Sequence, residues 1–262
     1  METAKKPPFD GRRADRLAAR EVSGIDGNYP RGWILGYTAD VTPVDVETCL
    51  PTAELFNRRI VAFDSGHSIT ASYDVLRNHL RDEYDQPQTV AISACSSGCG
   101  TTVTAINLAL SFARLPESSV LLVDANLGNS KVCETLGVMM PTSSEEPSHE
   151  SLSTVGLGGS RLSVLQGRLL PTGTVASEGD LAKLVMQVEA ARQFLKPTFV
   201  VMDLPPVLNR DDAFPLIGIS DVAVVIAASG QTKRADLQLV RGYFGKNKKV
   251  QFVLNKVGKY SL

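Results

Sequence analysis

The chain has 262 residues and a formal net charge of −1; 43% of its residues are hydrophobic and 21% are charged. This length suits one α/β domain with tails or two small domains, and the composition is that of a soluble globular protein. The near-neutral charge favours neither nucleic acid nor an anionic membrane as a partner. Because no apolar run approaches the roughly 18 residues of a spanning helix and the N-terminus lacks a signal-peptide core, we expect a cytoplasmic protein without direct membrane insertion.

The four cysteines do not form the pattern of a disulfide framework in a chain of this length. Cys95 and Cys99 lie four residues apart, but no second Cys or His pair accompanies them. A zinc site is therefore not indicated.

Residues 1–55 show no sustained hydrophobic periodicity and contain several prolines. We predict a mostly disordered N-terminal segment there, with a short helix over residues 13–21. The folded domain is expected over residues 56–262. Its first helix is predicted over residues 68–83, where apolar residues recur at helical spacing.

Short, almost continuously apolar runs then alternate with helical patterns. Strands are predicted at 89–95, 119–125, 162–166, 198–204, 221–228 and 249–255, and helices at 101–114, 179–195 and 233–244. Runs of this kind are typical of strands buried on both faces, so we predict an α/β fold with a doubly wound, mostly parallel sheet flanked by helices. Residues 139–160 are polar and rich in Gly and Ser, which predicts a loop.

The first predicted strand runs into a Gly-rich turn, residues 96–102, and then into a helix. Such a turn is an anion site, because backbone N–H groups and the helix dipole both favour negative charge. The usual phosphate loop ends Gly-Lys-Ser/Thr, but here Thr101 occupies the lysine position and Thr102 the position of the magnesium-binding hydroxyl.

An aspartate ends each of two further predicted strands, Asp124 after the apolar run at 119–123 and Asp203 after the run at 198–202. A carboxylate at the carboxyl end of a strand beside a phosphate loop can hold Mg²⁺ or orient a nucleophile. Either aspartate alone could equally be a helix cap or a loop carboxylate. The Gly-rich loop followed by the two aspartates, in this order along the chain, is a more specific pattern than any one of them.

These motifs, together with the segments DVAVVIAASGQTKRADL and FVLNKV, resemble the cytoplasmic domain of bacterial tyrosine autokinases. That family belongs with the partitioning-ATPase group of P-loop proteins, and many members serve capsule or exopolysaccharide synthesis. The resemblance covers about residues 57–258 and is nearest to the variety found with exosortase-type exopolysaccharide loci.

The resemblance also implies roles for individual residues and a cofactor. Asp124 and Asp203 would be catalytic, and both would bind Mg²⁺ together with Thr102. ATP or ADP would contact Asn255, which would read the adenine ring, and the residues of the loop: Gly98, Cys99, Gly100, Thr101, Thr102 and Val103.

The sequence departs from the family at charged positions of the site. Thr101 replaces the catalytic lysine, which offsets charge on the β- and γ-phosphates. Asn126 replaces a second aspartate, and Gly128, Asn129 and Ser130 stand where arginines often follow. Binding of ATP and Mg²⁺ should therefore be weak and efficient phosphoryl transfer is not expected.

Two further family features are reduced. The terminal tyrosine cluster is represented by Tyr260 alone, and the Glu-x-x-Arg-x-x-Arg ring-assembly pattern reads Ala71, Asp74 and Arg77. Only the last arginine remains, so a homo-oligomer formed through that contact is in question.

The sequence leaves three functions open. The first is a catalytically impaired regulator or scaffold of exopolysaccharide synthesis and export. Its partner would be the cytoplasmic tail of an inner-membrane polysaccharide co-polymerase, or a kinase paralogue, which would hold it at the membrane. The second is a slow kinase or ATPase in which Lys131, Lys233 or Lys256 replaces the missing lysine. The third, a partitioning-type ATPase, is disfavoured because residues 94–97 contain no lysine.

Overall fold

The computed structural model describes residues 44–47, 50–86, 88–138, 152–167, 169–244 and 248–258. The strands are β1 (Val44–Glu47), β2 (Thr89–Ala94), β3 (Val120–Asp124), β4 (Leu152–Leu157), β5 (Ser160–Gln166), β6 (Phe199–Asp203), β7 (Val222–Ala228) and β8 (Val250–Asn255). The helices are α1 (Thr52–Asn57), α2 (Thr70–Glu83), α3 (Thr101–Ala113), α4 (Val132–Leu136), α5 (Glu178–Leu195), α6 (Phe214–Ile219) and α7 (Arg234–Tyr243). None of these helices is long and apolar enough to cross a bilayer.

The strands form one sheet in the order β1-β4-β5-β3-β6-β2-β7-β8. The strands from β5 to β8 in this order are parallel to their neighbours, whereas β4 is antiparallel to β5 and β1 is parallel to β4. The predicted doubly wound, mostly parallel sheet is confirmed. Its carboxyl edge gathers the ends of β2, β3, β6, β7 and β8 beside one another, which is where such folds bind ligands.

Alternate residues of the central strands face two separate cores, as the period of two in a strand requires. On β2, Val90 and Ile92 lie in the core under α1 to α4, whereas Ala91 lies in the core under α5 to α7. Both faces are therefore covered, which explains why the central strands are apolar at nearly every position.

A fully buried asparagine on α3, Asn107, connects the segment before α2 to α3 through hydrogen bonds. Asn107 Oδ1 accepts hydrogen bonds from the N–H groups of Val61 (2.8 Å) and Ala62 (2.9 Å). Its Nδ2 donates to the carbonyls of Arg59 and Val103, both at 2.8 Å. All of the side chain's principal hydrogen-bonding capacity is thus used inside the core, which fixes α3 and the loop preceding it.

The prediction of a loop over residues 139–160 was wrong for its C-terminal part. β4 lies within it and pairs antiparallel with β5. The connecting residues, Gly158 and Gly159, have φ of +56° and +81°, values that a two-residue hairpin turn requires and that glycine adopts at little cost. The Gly-Gly pair between two short runs was the sequence signal for this hairpin.

β1 lies before the predicted boundary at residue 56, and α1 begins before that boundary and crosses it. β1 extends the sheet beyond β4, and α1 spans Thr52–Asn57 with Leu55 buried. The predicted helix over residues 13–21 lies outside the described residues, as do residues 1–43 in general.

Candidate functional site

The predicted phosphate loop connects β2 to α3 and has the backbone form of an anion site. Gly98 and Gly100 have φ of +80° and +95°, and Gly100 is the N-cap of α3. From Ser96 to Val103, no backbone N–H group donates to an acceptor within the described part of the chain. The loop and first helical turn therefore offer a continuous series of free donors, as anion binding at a helix N-terminus requires.

The loop's carbonyls, by contrast, are occupied by side-chain amides from neighbouring strand ends. Gln231, after β7, donates through Nε2 to the carbonyl of Ser97 at 2.7 Å and to Oγ of Ser96 at 3.2 Å. Asn255, the last residue of β8, donates through Nδ2 to the carbonyl of Cys99 at 2.8 Å. Sequence reasoning missed Gln231, although a polar residue just past a buried strand at this edge was a usable signal.

The remaining predicted loop residues differ in burial and in their contacts. Cys99 is buried, with its Sγ 3.6 Å from Oγ of Ser96 and 3.8 Å from Oγ1 of Thr232. Thr101, Thr102 and Val103 form the first turn of α3 and are partly exposed. The structure thus brings the loop residues together with Asn255; contact with an adenine ring remains a prediction for Asn255.

Asp124 ends β3 and is completely buried. Its Oδ2 accepts hydrogen bonds from Oγ of Ser130 (2.6 Å) and from the N–H groups of Lys131 (3.0 Å) and Val132 (2.9 Å). Burial raises the pKa of this carboxyl group, and the hydrogen bonds oppose that rise without cancelling it. Its Oδ1 is buried and has no partner among the described residues.

Asp203 ends the neighbouring strand β6 and is paired in register with Asp124. Its Oδ2 accepts a hydrogen bond from Oγ1 of Thr102 at 2.6 Å, which ties the phosphate loop to the carboxylate. Burial, and next the charge of Asp124, raise the pKa of Asp203 well above its usual range, with the Thr102 hydrogen bond acting in the opposite direction. Asp203 Oδ1 also lacks a partner in the described part of the chain.

These groups fit a magnesium ion. Mg²⁺ is bound in proteins by carboxylate and other oxygens, together with phosphate oxygens of a nucleotide. Three buried side-chain oxygens at this edge have no described partner, namely Oδ1 of Asp124, Asn126 and Asp203, and the Thr102 hydroxyl lies beside Asp203. No group of three His, Cys, Asp or Glu side chains able to hold a metal occurs among the described residues, so a nucleotide would have to complete the coordination.

No family model matches the chain. One relative is the tyrosine-protein kinase CpsD of Streptococcus pneumoniae, which is 24% identical over 228 residues; the match covers 81% of this chain and 96% of CpsD. The chain is similar to a bacterial tyrosine kinase over most of its length. The end-to-end match to CpsD makes this a likeness of the whole domain and not of a single motif.

Solved kinase domains share the fold. The kinase domain of VpsO has a TM-score of 0.58 at 20% identity and covers 79% of this chain and 100% of that domain. The kinase domain of the Escherichia coli tyrosine kinase ETK has a TM-score of 0.58 at 17% identity, covering 76% and 82%. The BceF tyrosine kinase domain has a TM-score of 0.56 at 16% identity, covering 86% and 97%.

Thr101 opens α3, at the position where the resemblance implies a catalytic lysine. Of the lysines considered as substitutes, Lys131 is connected to the site through its backbone N–H, which binds Asp124, but its Nζ pairs with Glu134 at 2.6 Å. Lys233 is the N-cap of α7, and Lys256 follows Asn255 with φ of +59°. The described contacts bring none of these ammonium groups to Asp124 or Asp203.

Arg77, which the resemblance matches to the last arginine of a ring-assembly pattern, makes its contacts within the chain. Arg77 on α2 donates through Nη1 to Asp74 (3.2 Å) and to the carbonyl of Ser111 on α3 (2.8 Å), and Arg114 also pairs with Asp74. The Arg77 side chain is only 11% exposed. This network joins α2 to α3 and leaves Arg77 little freedom to contact another subunit.

Proposed function

We propose that the protein is a tyrosine-kinase-like subunit with impaired phosphoryl transfer that regulates or scaffolds exopolysaccharide or capsule synthesis and export. The observation that carries this proposal is the contrast within one site. The donors of the phosphate loop and the two buried carboxylates are in place, yet the position of the catalytic cation holds Thr101.

The missing charge matters most in the transition state. In phosphoryl transfer, the lysine and metal ions stabilise charge that builds up on the transferred group. Thr101 provides a hydroxyl group with no positive charge. The loss of one charge-assisted hydrogen bond corresponds to about 1.5–3 kcal/mol in binding, and the effect on rate is expected to exceed it because charge develops during the reaction.

Nucleotide binding itself should persist in weakened form. The free N–H groups from Ser96 to Val103 would hold the phosphates, and Thr102, Asp124 and Asp203 would hold Mg²⁺. The ion would supply positive charge next to the two carboxylates and the phosphates. Binding of Mg²⁺ and ATP or ADP therefore serves in this proposal as a conformational signal and not as the start of efficient catalysis.

The partner we propose is the cytoplasmic tail of an inner-membrane polysaccharide co-polymerase, or a catalytically active kinase paralogue. This partner would place the protein at the inner membrane. The support is the family resemblance, which is nearest to the exosortase-associated exopolysaccharide variety. Fold alone would not support this step, because one fold serves many functions.

A phosphorylation assay tests the impairment directly. The purified protein is incubated with Mg²⁺ and ATP, and phosphotyrosine is measured on the chain and on a tyrosine polymer, beside the Thr101→Lys variant. We expect little phosphotyrosine with the natural chain and a measurable increase with the variant. Robust ATP-dependent tyrosine phosphorylation by the natural chain would overturn the proposal.

A slow kinase or ATPase is the second candidate. It is favoured by the intact pair of aspartates and by the backbone of Lys131, which lies against Asp124. In this case the Lys131→Ala variant should lose its residual activity to the same degree as Asp124→Asn. If Lys131→Ala retains that activity, Lys131 is not the substitute cation.

A further inference from the structure

Gln231 holds the phosphate loop from outside the nucleotide-binding motif. Its Nε2 lies 2.7 Å from the carbonyl of Ser97 and 3.2 Å from Oγ of Ser96. The same side chain passes within about 4 Å of the point where a Cβ on Gly98 would lie, with Nε2 at 3.8 Å and Oε1 at 4.0 Å. Gln231 therefore lies against the loop at Gly98, the first of its two left-handed glycines.

The turn that carries Gln231 is itself tightly fixed to the sheet. The N–H groups of Gln231 and Thr232 both donate to the carbonyl of Ala228, at 3.1 and 2.9 Å. In return, the N–H of Ala228 donates to Oγ1 of Thr232 at 2.9 Å, and the N–H of Ser229 donates to the carbonyl of Asn255, also at 2.9 Å. The amide of Gln231 thus starts from a rigid base at the ends of β7 and β8.

The loop needs such support because of its composition. Gly98 and Gly100 both adopt positive φ, and glycine loses more conformational freedom than any other residue when it is fixed. A loop with free N–H donors binds an anion well only if those donors are already aligned, since ordering them on binding would reduce the affinity. With Thr101 in place of lysine, the backbone donors are the principal source of that affinity.

We propose that Gln231 is a positioning residue that keeps the backbone of the phosphate loop in its anion-binding form. Its amide donates to the Ser97 carbonyl and so fixes the orientation of that peptide group, while the neighbouring N–H groups stay free for phosphate. Asn255 acts in the same way on the Cys99 carbonyl, but the resemblance implies no role for Gln231. The inference deepens the proposed function, because it rests on nucleotide phosphates binding at this loop.

The role predicted for Gln231 is local. The side chain is exposed, and surface substitutions usually change stability by less than about 0.5 kcal/mol. Gln231→Ala removes the amide, and Gln231→Glu keeps its length but replaces the donating NH₂ group with an acceptor. A purely steric role would survive in the Glu variant, whereas a role in donating to Ser97 would not. Gln238→Ala, at an exposed position on α7, is the matched control.

The test measures backbone order and ligand binding separately. In the unliganded protein, ¹⁵N relaxation should give order parameters near about 0.85 for the amides of Gly98 and Gly100, falling below about 0.6 in Gln231→Ala and Gln231→Glu. The melting temperature should stay within about 2 °C of the natural protein, as expected for a surface substitution. In calorimetry, the Kd for ADP should rise about tenfold in both variants, which corresponds to the loss of one hydrogen bond of about 1.4 kcal/mol.

The outcomes separate this inference from the proposed function. Unchanged order parameters in both Gln231 variants would overturn the positioning role, whatever the affinity. The order parameters could fall in both Gln231 variants while the natural chain binds no nucleotide. That result would support the role of Gln231 in loop order and contradict the proposed function. An equal loss of order in Gln238→Ala would show a general effect on α7 and would also overturn the inference.

Discussion

Asp124 and Asp203 are register partners at the ends of neighbouring parallel strands, and each buries one carboxylate oxygen that has no hydrogen-bond partner among the described residues. Two buried carboxylates side by side are costly unless a cation or a proton compensates them. The described contacts supply only hydroxyl and backbone N–H donors. The site therefore carries a stability cost that a bound cation would relieve.

Replacing Asp203 by Asn should stabilise the unliganded protein at neutral pH. The folded pKa of Asp203 is raised, so its contribution to stability is fully present below the unfolded pKa of about 4 and is lost as the pH rises through the folded pKa. Asn cannot ionise, so the variant avoids this loss. Its free energy of unfolding at pH 7 should be about 1–2 kcal/mol higher than that of the natural protein, and the difference should shrink as the pH approaches 4. Urea unfolding at several pH values measures this.

Glu189→Gln serves as the control for that series, because Glu189 is an exposed carboxylate on α5. It should shift stability by less than about 0.5 kcal/mol at each pH. Loss of stability in Asp203→Asn at pH 7 would show that the carboxylate is compensated in the folded protein. The same variant should lose any dependence of nucleotide binding on Mg²⁺.

Restoring the cation at position 101 should strengthen nucleotide binding. Thr101→Lys places an ammonium group on the first residue of α3, next to Thr102, whose hydroxyl donates to Asp203. We expect the Kd for ATP to fall about ten- to a hundredfold, the value of one charge-assisted hydrogen bond. Thr101→Met, similar in length but uncharged, should bind no better than the natural protein. Equal affinities in all three proteins would mean that phosphate does not bind at this loop.

Removing the buried amide of Asn107 should destabilise the domain strongly. Asn107→Leu leaves the N–H groups of Val61 and Ala62 and the carbonyl of Arg59 without partners inside the core. Unsatisfied buried groups of this kind cost about 1–3 kcal/mol each, so we expect a loss of about 3–4 kcal/mol and a melting temperature roughly 10 °C lower. Asn209→Ala, at an exposed position, should stay within about 0.5 kcal/mol. A small effect in Asn107→Leu would show that water or local rearrangement satisfies these groups.

Arg77 should behave as a structural residue and not as an assembly contact. Arg77→Ala breaks the partly buried connection between Asp74 on α2 and the Ser111 carbonyl on α3. We expect a loss of about 1–2 kcal/mol and no change in the mass measured by light scattering. Arg234→Ala, an exposed arginine on α7, should change neither quantity. A smaller mass for Arg77→Ala than for the natural protein would instead assign Arg77 to a subunit interface.

The central sheet could be predicted from sequence because its strands are apolar at nearly every position and alternate with helical patterns. β4 escaped prediction because LSTVGL mixes apolar and small polar residues and lies in a polar stretch; the Gly158-Gly159 turn that fixes its pairing was the only local signal. β1 is a short edge strand, VDVE, whose position is set by tertiary pairing with β4.

The site residues that directly follow a strand could be predicted from the sequence. Asp124, Asp203 and the loop residues could be located because each follows an apolar strand directly. Gln231 could not be assigned a partner from sequence, since its contact with Ser97 joins residues 134 positions apart. The lack of hydrogen-bond partners at Asp124 and Asp203 likewise depends on which groups surround them in the fold.

Calorimetric titration of the natural protein with ADP, with and without Mg²⁺, tests the central claim most directly. The free N–H groups of the loop and the carboxylates Asp124 and Asp203 predict a Kd between about 10 μM and 1 mM that becomes several times tighter with Mg²⁺. This result would establish a nucleotide site that works without its lysine. No detectable binding at millimolar ADP, in the presence or absence of Mg²⁺, would contradict the account and leave the protein as an interaction module without nucleotide.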